Sequence, residues 1–146
     1  MRQFIITLLM MLAVSVSISA QSVYTPERGT PERAAILDTL RVPVERKLKQ
    51  KIVFVADHFN VSGPWAFVSG SLQTPDGGAP DFSRTVYAEA MEAGAFDNNY
   101  FALLKKTSGK WRVTVYQIGC TDVCYIPWAK QYKAPKAVFP HSEMMD

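Results

Sequence analysis

Apolar residues recur at three- and four-residue steps in the stretch that follows Thr30-Pro31. The stripe consists of Ala34, Leu37, Leu40 or Arg41, Val44 and Leu48. Such spacing places side chains on one face of a helix. Thr30 and Pro31 suit its start, because threonine caps free backbone N–H groups and proline fits the first helical position. The sequence therefore predicts an amphipathic helix over residues 31–50, with a kink at Pro43, where one backbone hydrogen bond is lost.

From Lys51 onward the pattern changes to β-branched and aromatic residues, which favour strands. Residues 52–61 and 65–72 are two such runs, and Ser62-Gly63-Pro64 between them is a typical turn sequence. Together they predict a β-hairpin. Alternate side chains of a strand point to opposite faces. One face of the second strand therefore carries Trp65 and Phe67, and the other carries Ala66, Val68 and Leu72.

A second hairpin is predicted over residues 100–106 and 110–118, joined through Thr107-Ser108-Gly109. Apolar and polar positions alternate along its last strand. This alternation predicts a single buried face made of Trp111, Val113 and Val115.

Two further segments have weaker patterns. Residues 85–87 indicate a short strand, whereas residues 88–93 directly after them indicate a helical turn. Nearer the end of the chain, residues 128–132 predict a short helix that begins after a proline.

One amphipathic helix followed by antiparallel strands predicts the α+β class. We expect the N-terminal helix to pack against a curved antiparallel sheet of four to five strands. The length of the chain suits a single domain, which we place at residues 31–139. A flexible arm over residues 21–30 precedes it, and a frayed tail over residues 140–146 follows it.

The helix over residues 31–49 is followed by a set of short motifs in and after the two hairpins. These are GPWAFV at 63–68, ALLKK at 102–106, KWRV at 110–113, IG at 118–119 and TDV at 121–123. The combination resembles a group of small secreted bacterial proteins, whose shape is similar to the cystatin-like or NTF2-like cone. The resemblance implies a helix held in a bent antiparallel sheet over most of residues 31–139. Cones of this shape host enzymes, ligand carriers and protein-binding modules, so the resemblance leaves the function open.

The start of the chain has the pattern of a secretory signal peptide. Arg2 precedes an apolar run over residues 4–16, and Ser17-Ile18-Ser19-Ala20 supplies small residues for cleavage after Ala20. The run is shorter than the roughly 20 apolar residues that a membrane-spanning helix needs. An uncleaved membrane anchor is the less favoured alternative. We expect a bacterial protein that is periplasmic or secreted, with no stable membrane insertion after residues 1–20 are removed.

The charge balance excludes few partners. The chain has 16 Lys and Arg residues and 13 Asp and Glu residues, a formal net charge of +3, which becomes +2 without Arg2. The most basic stretch is residues 46–51. Leu48 inside it continues the helical stripe, which favours a solvated helix face over a nucleic-acid site. We therefore expect no nucleic-acid partner.

Cys120 and Cys124 are the two cysteines of the chain. In an exported protein, two cysteines most simply form a disulfide. The chain-entropy model gives about 2 kcal/mol for so short a loop. The alternatives are free or otherwise paired thiols, a redox centre and a metal site. A redox centre normally has Cys-x-x-Cys, and structural zinc would need both His58 and His141 as well. We favour the structural disulfide and expect neither a metal nor a cofactor.

Four residues in or beside the cysteine loop are candidate binding residues, namely Thr121, Asp122, Tyr125 and Trp128. Short Asp and Thr side chains bond nearby backbone N–H groups in turns, and a turn is the first interpretation. The second is a loop that the disulfide holds rigid, so that it binds a partner at a lower entropy cost. For Trp128, a place in the core is the favoured of two interpretations.

Asp57, His58 and Tyr116 form an alternative candidate site. Because neighbours on a strand point to opposite faces, Asp57 and His58 do not form a dyad by themselves. Together with Tyr116 or Asp122, either of them could line a cone-shaped pocket, as an Asp base and a Tyr donor do in small enzymes. A surface role for both is the favoured interpretation.

The chain contains no Gly-rich phosphate loop, no Gly-x-Ser-x-Gly and no His-Glu-x-x-His. With the export signal and the cysteine-closed loop, this favours a non-enzymatic binding or accessory protein that recognises a protein or cell-envelope component. The alternative is a small-molecule binder or small enzyme that uses a cone-shaped pocket.

Overall fold

The computed structural model describes residues 21–145, so that the predicted signal peptide lies outside the described part of the chain. Its elements in chain order are α1 (Pro31–Leu48), β1 (Val53–Ser62), β2 (Trp65–Gln73), α2 (Ala88–Glu92), β3 (Asn99–Thr107), β4 (Lys110–Ile118) and α3 (Trp128–Tyr132), followed by two 3-10 turns at Lys136–Val138 and Ser142–Met144. The four strands form one antiparallel sheet in the order β1-β2-β3-β4. This confirms the predicted α+β class.

Helix α1 begins directly after its N-cap residue, Thr30. The hydroxyl of Thr30 accepts a hydrogen bond from the backbone N–H of Arg33 at 3.4 Å, and the helix continues through Pro43 to Leu48. Its buried face differs from the predicted stripe, because Ala34 is exposed, Leu37 is only half-buried and Ile36 is buried. The buried residues follow a four-residue step and are Ile36, Leu40, Val44 and Leu48.

One face of the sheet packs against α1 and forms the larger core, which we call the helix-side core. All four strands contribute to it, and α1 covers it from above. Its aromatic members are Phe54, Phe59, Phe82, Tyr100 and Trp111. The two faces of β2 separate as predicted, since Ala66, Val68 and Leu72 belong to this core.

The opposite face is covered by the C-terminal segment and forms a second cluster, the tail-side core. Trp65 and Phe67 of β2 lie in it. The C-terminal residues that pack on them are Tyr125, Trp128, Ala129, Ala134, Val138, Phe139 and Met145. The prediction of a frayed tail over residues 140–146 is therefore wrong for Met145, which is only 2% exposed. The segment has no periodic pattern of its own, and contacts with the sheet hold it in place.

Two β-bulges change which residues face the helix. In β1, Ala56 pairs with Gly70 and His58 with Ser69, so that Asp57 is the inserted residue. A bulge moves all later side chains to the other face. Phe54 before the bulge and Phe59 after it consequently both face α1, although a regular strand would place residues an odd number of positions apart on opposite faces.

A second bulge in β4 overturns the predicted single face of that strand. Leu103 pairs with Val115 and Leu104 with Val113, which leaves Thr114 as the inserted residue. Trp111 and Val113 therefore lie on the helix-side core, but Val115 lies on the tail-side core.

The segment predicted as a flexible arm, residues 21–30, is attached to the edge of the sheet. Tyr24 and Val61 exchange two backbone hydrogen bonds of 3.0 and 2.7 Å. The hydroxyl of Tyr24 also donates a hydrogen bond of 2.9 Å to Glu32 in α1. This arrangement places residues 25–28 beside β1.

The connection from β2 to β3 resolves the mixed pattern of residues 85–93. Residues 85–87 form a turn rather than a strand, and α2 follows at once. Phe82 and Phe96 anchor the connection, with ring centroids 4.6 Å apart. In the described part of the chain, no helix has both the length and the apolar character needed to cross a membrane.

Candidate functional site

The cysteine loop has the predicted disulfide between Cys120 and Cys124. Asp122 acts in the turn, since its carboxylate accepts a 2.7 Å hydrogen bond from the backbone N–H of Val123. Asn99 in β3 ties the loop to the sheet by donating a 2.7 Å hydrogen bond to the Cys120 carbonyl. Thr121 and Asp122 are exposed. Of the four candidate binding residues, these two remain accessible.

The other two candidates, Tyr125 and Trp128, are buried in the tail-side core, at 2% and 4% exposure. The centroid of the Tyr125 ring lies 5.1 Å from that of Phe67 and 6.2 Å from that of Phe139, on which it is stacked. Burial raises the pKa of its hydroxyl. The hypothesis that these two residues are presented to a partner is therefore corrected, and the core interpretation of Trp128 is confirmed.

The alternative site made of Asp57, His58 and Tyr116 is not assembled. His58 faces the tail side, where its Nε2 lies 3.0 Å from the Val138 carbonyl oxygen. Tyr116 faces α1, with its hydroxyl 3.5 Å from the Pro43 carbonyl oxygen. Burial raises the pKa of Tyr116. The three side chains therefore lie in different environments, and His58 and Tyr116 lie on opposite sides of the sheet.

Asp57 instead belongs to an open groove beside the bulge, which we call the β1-edge groove. It has a volume of about 380 Å³. One wall comes from the N-terminal segment and α1, and the other comes from β1. The lining residues are Thr25, Pro26, Glu27, Arg28, Arg33 and residues 56–60.

The groove combines both signs of charge on a fixed frame. Arg33 is held by a 3.0 Å hydrogen bond to the Pro26 carbonyl and lies 4.5 Å above the Phe59 ring. Thr25 donates a 3.2 Å hydrogen bond to the Asn60 side chain and so closes one end. Arg28 and Asp57 are exposed. The groove can therefore offer a cation and a carboxylate to a ligand without rearrangement of its walls.

Tyr100 adds a buried polar group close to the groove. It is 1% exposed, and its hydroxyl has no hydrogen-bond partner within residues 21–145. Burial is the main cause that raises the pKa of this hydroxyl far above its ordinary value. The Asp57 carboxylate raises that pKa further and Arg33 lowers it, so both charges act on the hydroxyl. Buried hydroxyls normally have a partner, which makes Tyr100 unusual.

No pattern in the sequence indicated Arg28, Arg33 or Tyr100 as site residues. A signal existed in Gly70, since an isolated glycine inside a strand indicates a bulge or a close approach of another backbone. Gly70 pairs with Tyr100 on one side and with Ala56 on the other. It thus marks the position of the groove.

No group of three or more His, Cys, Asp or Glu side chains is arranged to hold a metal ion in the chain from Gln21 to Met145. Comparison of the chain with models of protein families, with curated proteins and with solved structures returned no match.

Proposed function

We propose that the protein is an exported, non-enzymatic binding or accessory protein that recognises a protein or cell-envelope component through the β1-edge groove. The observation that carries this proposal is the groove itself, an open channel with both signs of charge along an edge strand. The signal sequence and the Cys120–Cys124 disulfide support a periplasmic or secreted location in a bacterium.

The edge of β1 favours an extended ligand. Val61 already uses its outward backbone N–H and C=O to bind Tyr24. Backbone groups of a strand point to alternate sides, so that those of Phe59 point the same way, into the groove. An extended segment of a partner can add to such an edge by main-chain hydrogen bonds, while side chains beside it supply selectivity.

The charges of the groove supply that selectivity. A partner segment that carries one acidic and one basic side chain could pair with Arg28 and Asp57 at the same time. Exposed pairs of this kind contribute about 0.2–1 kcal/mol each. They act mainly on the choice of partner, and most of the affinity is expected from the backbone contacts.

A pull-down from periplasmic extract tests the proposal. The wild-type protein should retain a partner that the double variant Arg28→Gln/Asp57→Asn loses. The control is Lys130→Gln/Glu143→Gln, which removes one charge of each sign far from the groove along the chain. Equal retention by both double variants, or no partner retained by the wild type, contradicts the proposal.

A second candidate function is a small-molecule binder that uses the same groove. The observation that favours it is the volume of the groove, about 380 Å³, with the charged Arg33 and Asp57 among its lining residues. A hollow cone is not the basis for this candidate. A hollow cone would leave the side chains that line it accessible, whereas the side chains of Phe54, Trp65, Phe67 and Trp111 are buried.

Native mass spectrometry of the protein purified from its host separates the two candidates. A stoichiometric small molecule that is lost in the Arg28→Gln/Asp57→Asn variant supports the second candidate. A mass equal to that of the polypeptide alone, together with a partner in the pull-down, supports the first.

A further inference from the structure

The ends of β3 and β4 beside their connecting turn carry four cationic side chains, Lys105, Lys106, Lys110 and Arg112, which we call the cationic tip. All four are exposed. None of them forms an ion pair with any carboxylate in residues 21–145. The tip is thus a concentrated positive charge on a protein whose overall balance is close to neutral.

The register of the hairpin brings like charges together. Lys105 pairs directly with Arg112, and Lys110 lies two residues from Arg112 and therefore on the same face. Like charges directly opposite each other destabilise an antiparallel pair. The Trp65 ring, 4.8 Å from the Lys105 ammonium group, fixes this lysine beside the other two cations.

Protection of a sheet edge explains part of this pattern but not all of it. Charged residues on an edge strand prevent pairing with other chains, and β4 is an edge strand, which accounts for Lys110 and Arg112. β3 lies between β2 and β4, so Lys105 and Lys106 protect no edge. Their ammonium groups lie over the Trp65 and Trp111 rings, 4.8 and 5.7 Å from the ring centroids. Successive residues of a strand face opposite sides, so Lys105 shares a face with Lys110 and Arg112 and Lys106 does not.

The surface of the tip is polar. The exposed large apolar side chains in the described part of the chain lie elsewhere, at Val23, Tyr24, Val42, Val53, Val86, Met91 and Met144. Stable protein interfaces usually have an apolar centre, and membrane-bound surfaces insert apolar side chains. The tip offers neither. Its contacts must therefore be electrostatic.

We propose that the cationic tip binds inorganic polyphosphate, a linear polymer of phosphate groups. Neighbouring cations on it are separated by about 5 Å across the strands and about 7 Å along β4. A chain with a charge on every repeat can contact several such cations at once, whereas a single small anion cannot. Arginine and lysine are the residues that proteins use to bind phosphate. This site goes beyond the proposed function, because it uses no residue of the β1-edge groove.

Fluorescence anisotropy with labelled inorganic polyphosphate tests the site. The affinity of the wild-type protein should fall as salt rises, because each phosphate contact releases a counterion. The variant Lys105→Gln/Arg112→Gln should bind at least about fivefold more weakly, and its salt slope should be smaller by about 0.7 for each cation removed. The matched control Lys130→Gln/Lys136→Gln loses the same charge elsewhere and should keep nearly the wild-type affinity.

The charge-reversal variant Arg112→Glu keeps the edge of β4 charged and places an acid opposite Lys105. It should bind polyphosphate still more weakly while it remains folded, as measured by circular dichroism. An equal loss in tip and control variants would mean that net charge alone is recognised and would overturn the proposal. So would equal or tighter binding to polyglutamate, or binding to anionic phospholipid vesicles without binding to polyphosphate.

Discussion

Gly70 in β2 lies against the Val55 carbonyl oxygen in β1, next to the position where Asp57 is inserted. A Cβ atom at Gly70 would overlap this oxygen and would also lie 2.9 Å from the Asp57 backbone nitrogen. The close approach of these two backbones accompanies the bulge. Because of the bulge, Phe54 and Phe59 of β1 both face α1, and Asp57 lies in the β1-edge groove.

The first prediction concerns this glycine. Gly70→Ala should lower the free energy of unfolding by about 1–3 kcal/mol, because the added methyl group meets backbone, which cannot move aside as a side chain can. Urea unfolding measures the change. The control is Gly78→Ala, whose Cβ would meet only side-chain atoms, the Thr74 hydroxyl at 3.3 Å and the Asp76 carboxylate at 3.8 Å, and it should be close to neutral. Equal stability of the two variants would contradict the account of the bulge.

The disulfide should contribute modestly to stability. The double variant Cys120→Ser/Cys124→Ser should lose about 2 kcal/mol, since a short loop restricts the unfolded chain only slightly. Its circular dichroism spectrum should match that of the wild type, because the tail-side core holds Tyr125 and the residues after it. A loss of the folded state in this variant would show that the loop organises the C-terminal segment.

Tyr100 predicts how stability changes in alkaline solution. In the unfolded chain a tyrosine hydroxyl ionises near about pH 10, whereas burial raises the pKa of Tyr100 in the folded protein. Above about pH 10 the unfolded state therefore binds fewer protons than the folded state, and the free energy of unfolding falls as pH rises. Below that pH the Tyr100 hydroxyl is protonated in both states, so it causes no change in the free energy of unfolding with pH.

Tyr100→Phe should make the alkaline loss smaller. Near about pH 7 the variant should be as stable as the wild type or more stable by about 1 kcal/mol, because a buried hydroxyl without a partner is removed. Urea unfolding at several pH values gives both quantities. Lower stability of the variant near neutral pH would mean that the hydroxyl has a partner in the folded protein. An unchanged alkaline slope would mean that folding does not raise the pKa of Tyr100.

The cationic tip should lower the stability of the hairpin. Arg112→Glu replaces a like-charge pair with an ion pair opposite Lys105 and should raise the free energy of unfolding by about 0.5 kcal/mol. The expected gain should shrink as salt is added, since exposed charges are screened. A decrease in stability at low salt would show that Arg112 makes a favourable contact in the folded state.

Local patterns in the sequence were enough to predict the two hairpins and the short helix α3. The signals for the hairpins lie within a few residues, as in Ser62-Gly63-Pro64 between β1 and β2. Strict alternation failed at Val115, because a bulge at Thr114 shifts the phase of the strand. Such a shift depends on the partner strand and is not encoded in the local pattern.

The candidate site was predicted only in part. Asp57 was identified, but its partners were not, since Arg33 is distant in sequence and reaches the groove through the packing of α1. Tyr125 was misassigned for a related reason. Proximity to a cysteine loop indicates exposure, whereas contacts with Phe67 and Phe139 bury it. Tertiary contacts decided both cases.

The most direct test of the central claim is site-specific photo-cross-linking in the living host. A photoreactive amino acid at Asn60 lies in the β1-edge groove, and the same amino acid at Gln131 lies on the exposed surface of α3. The account predicts one discrete cross-linked product from position 60, which disappears with Arg28→Gln/Asp57→Asn, and no such product from position 131. The absence of a product at position 60, or the same product from both positions, would contradict it.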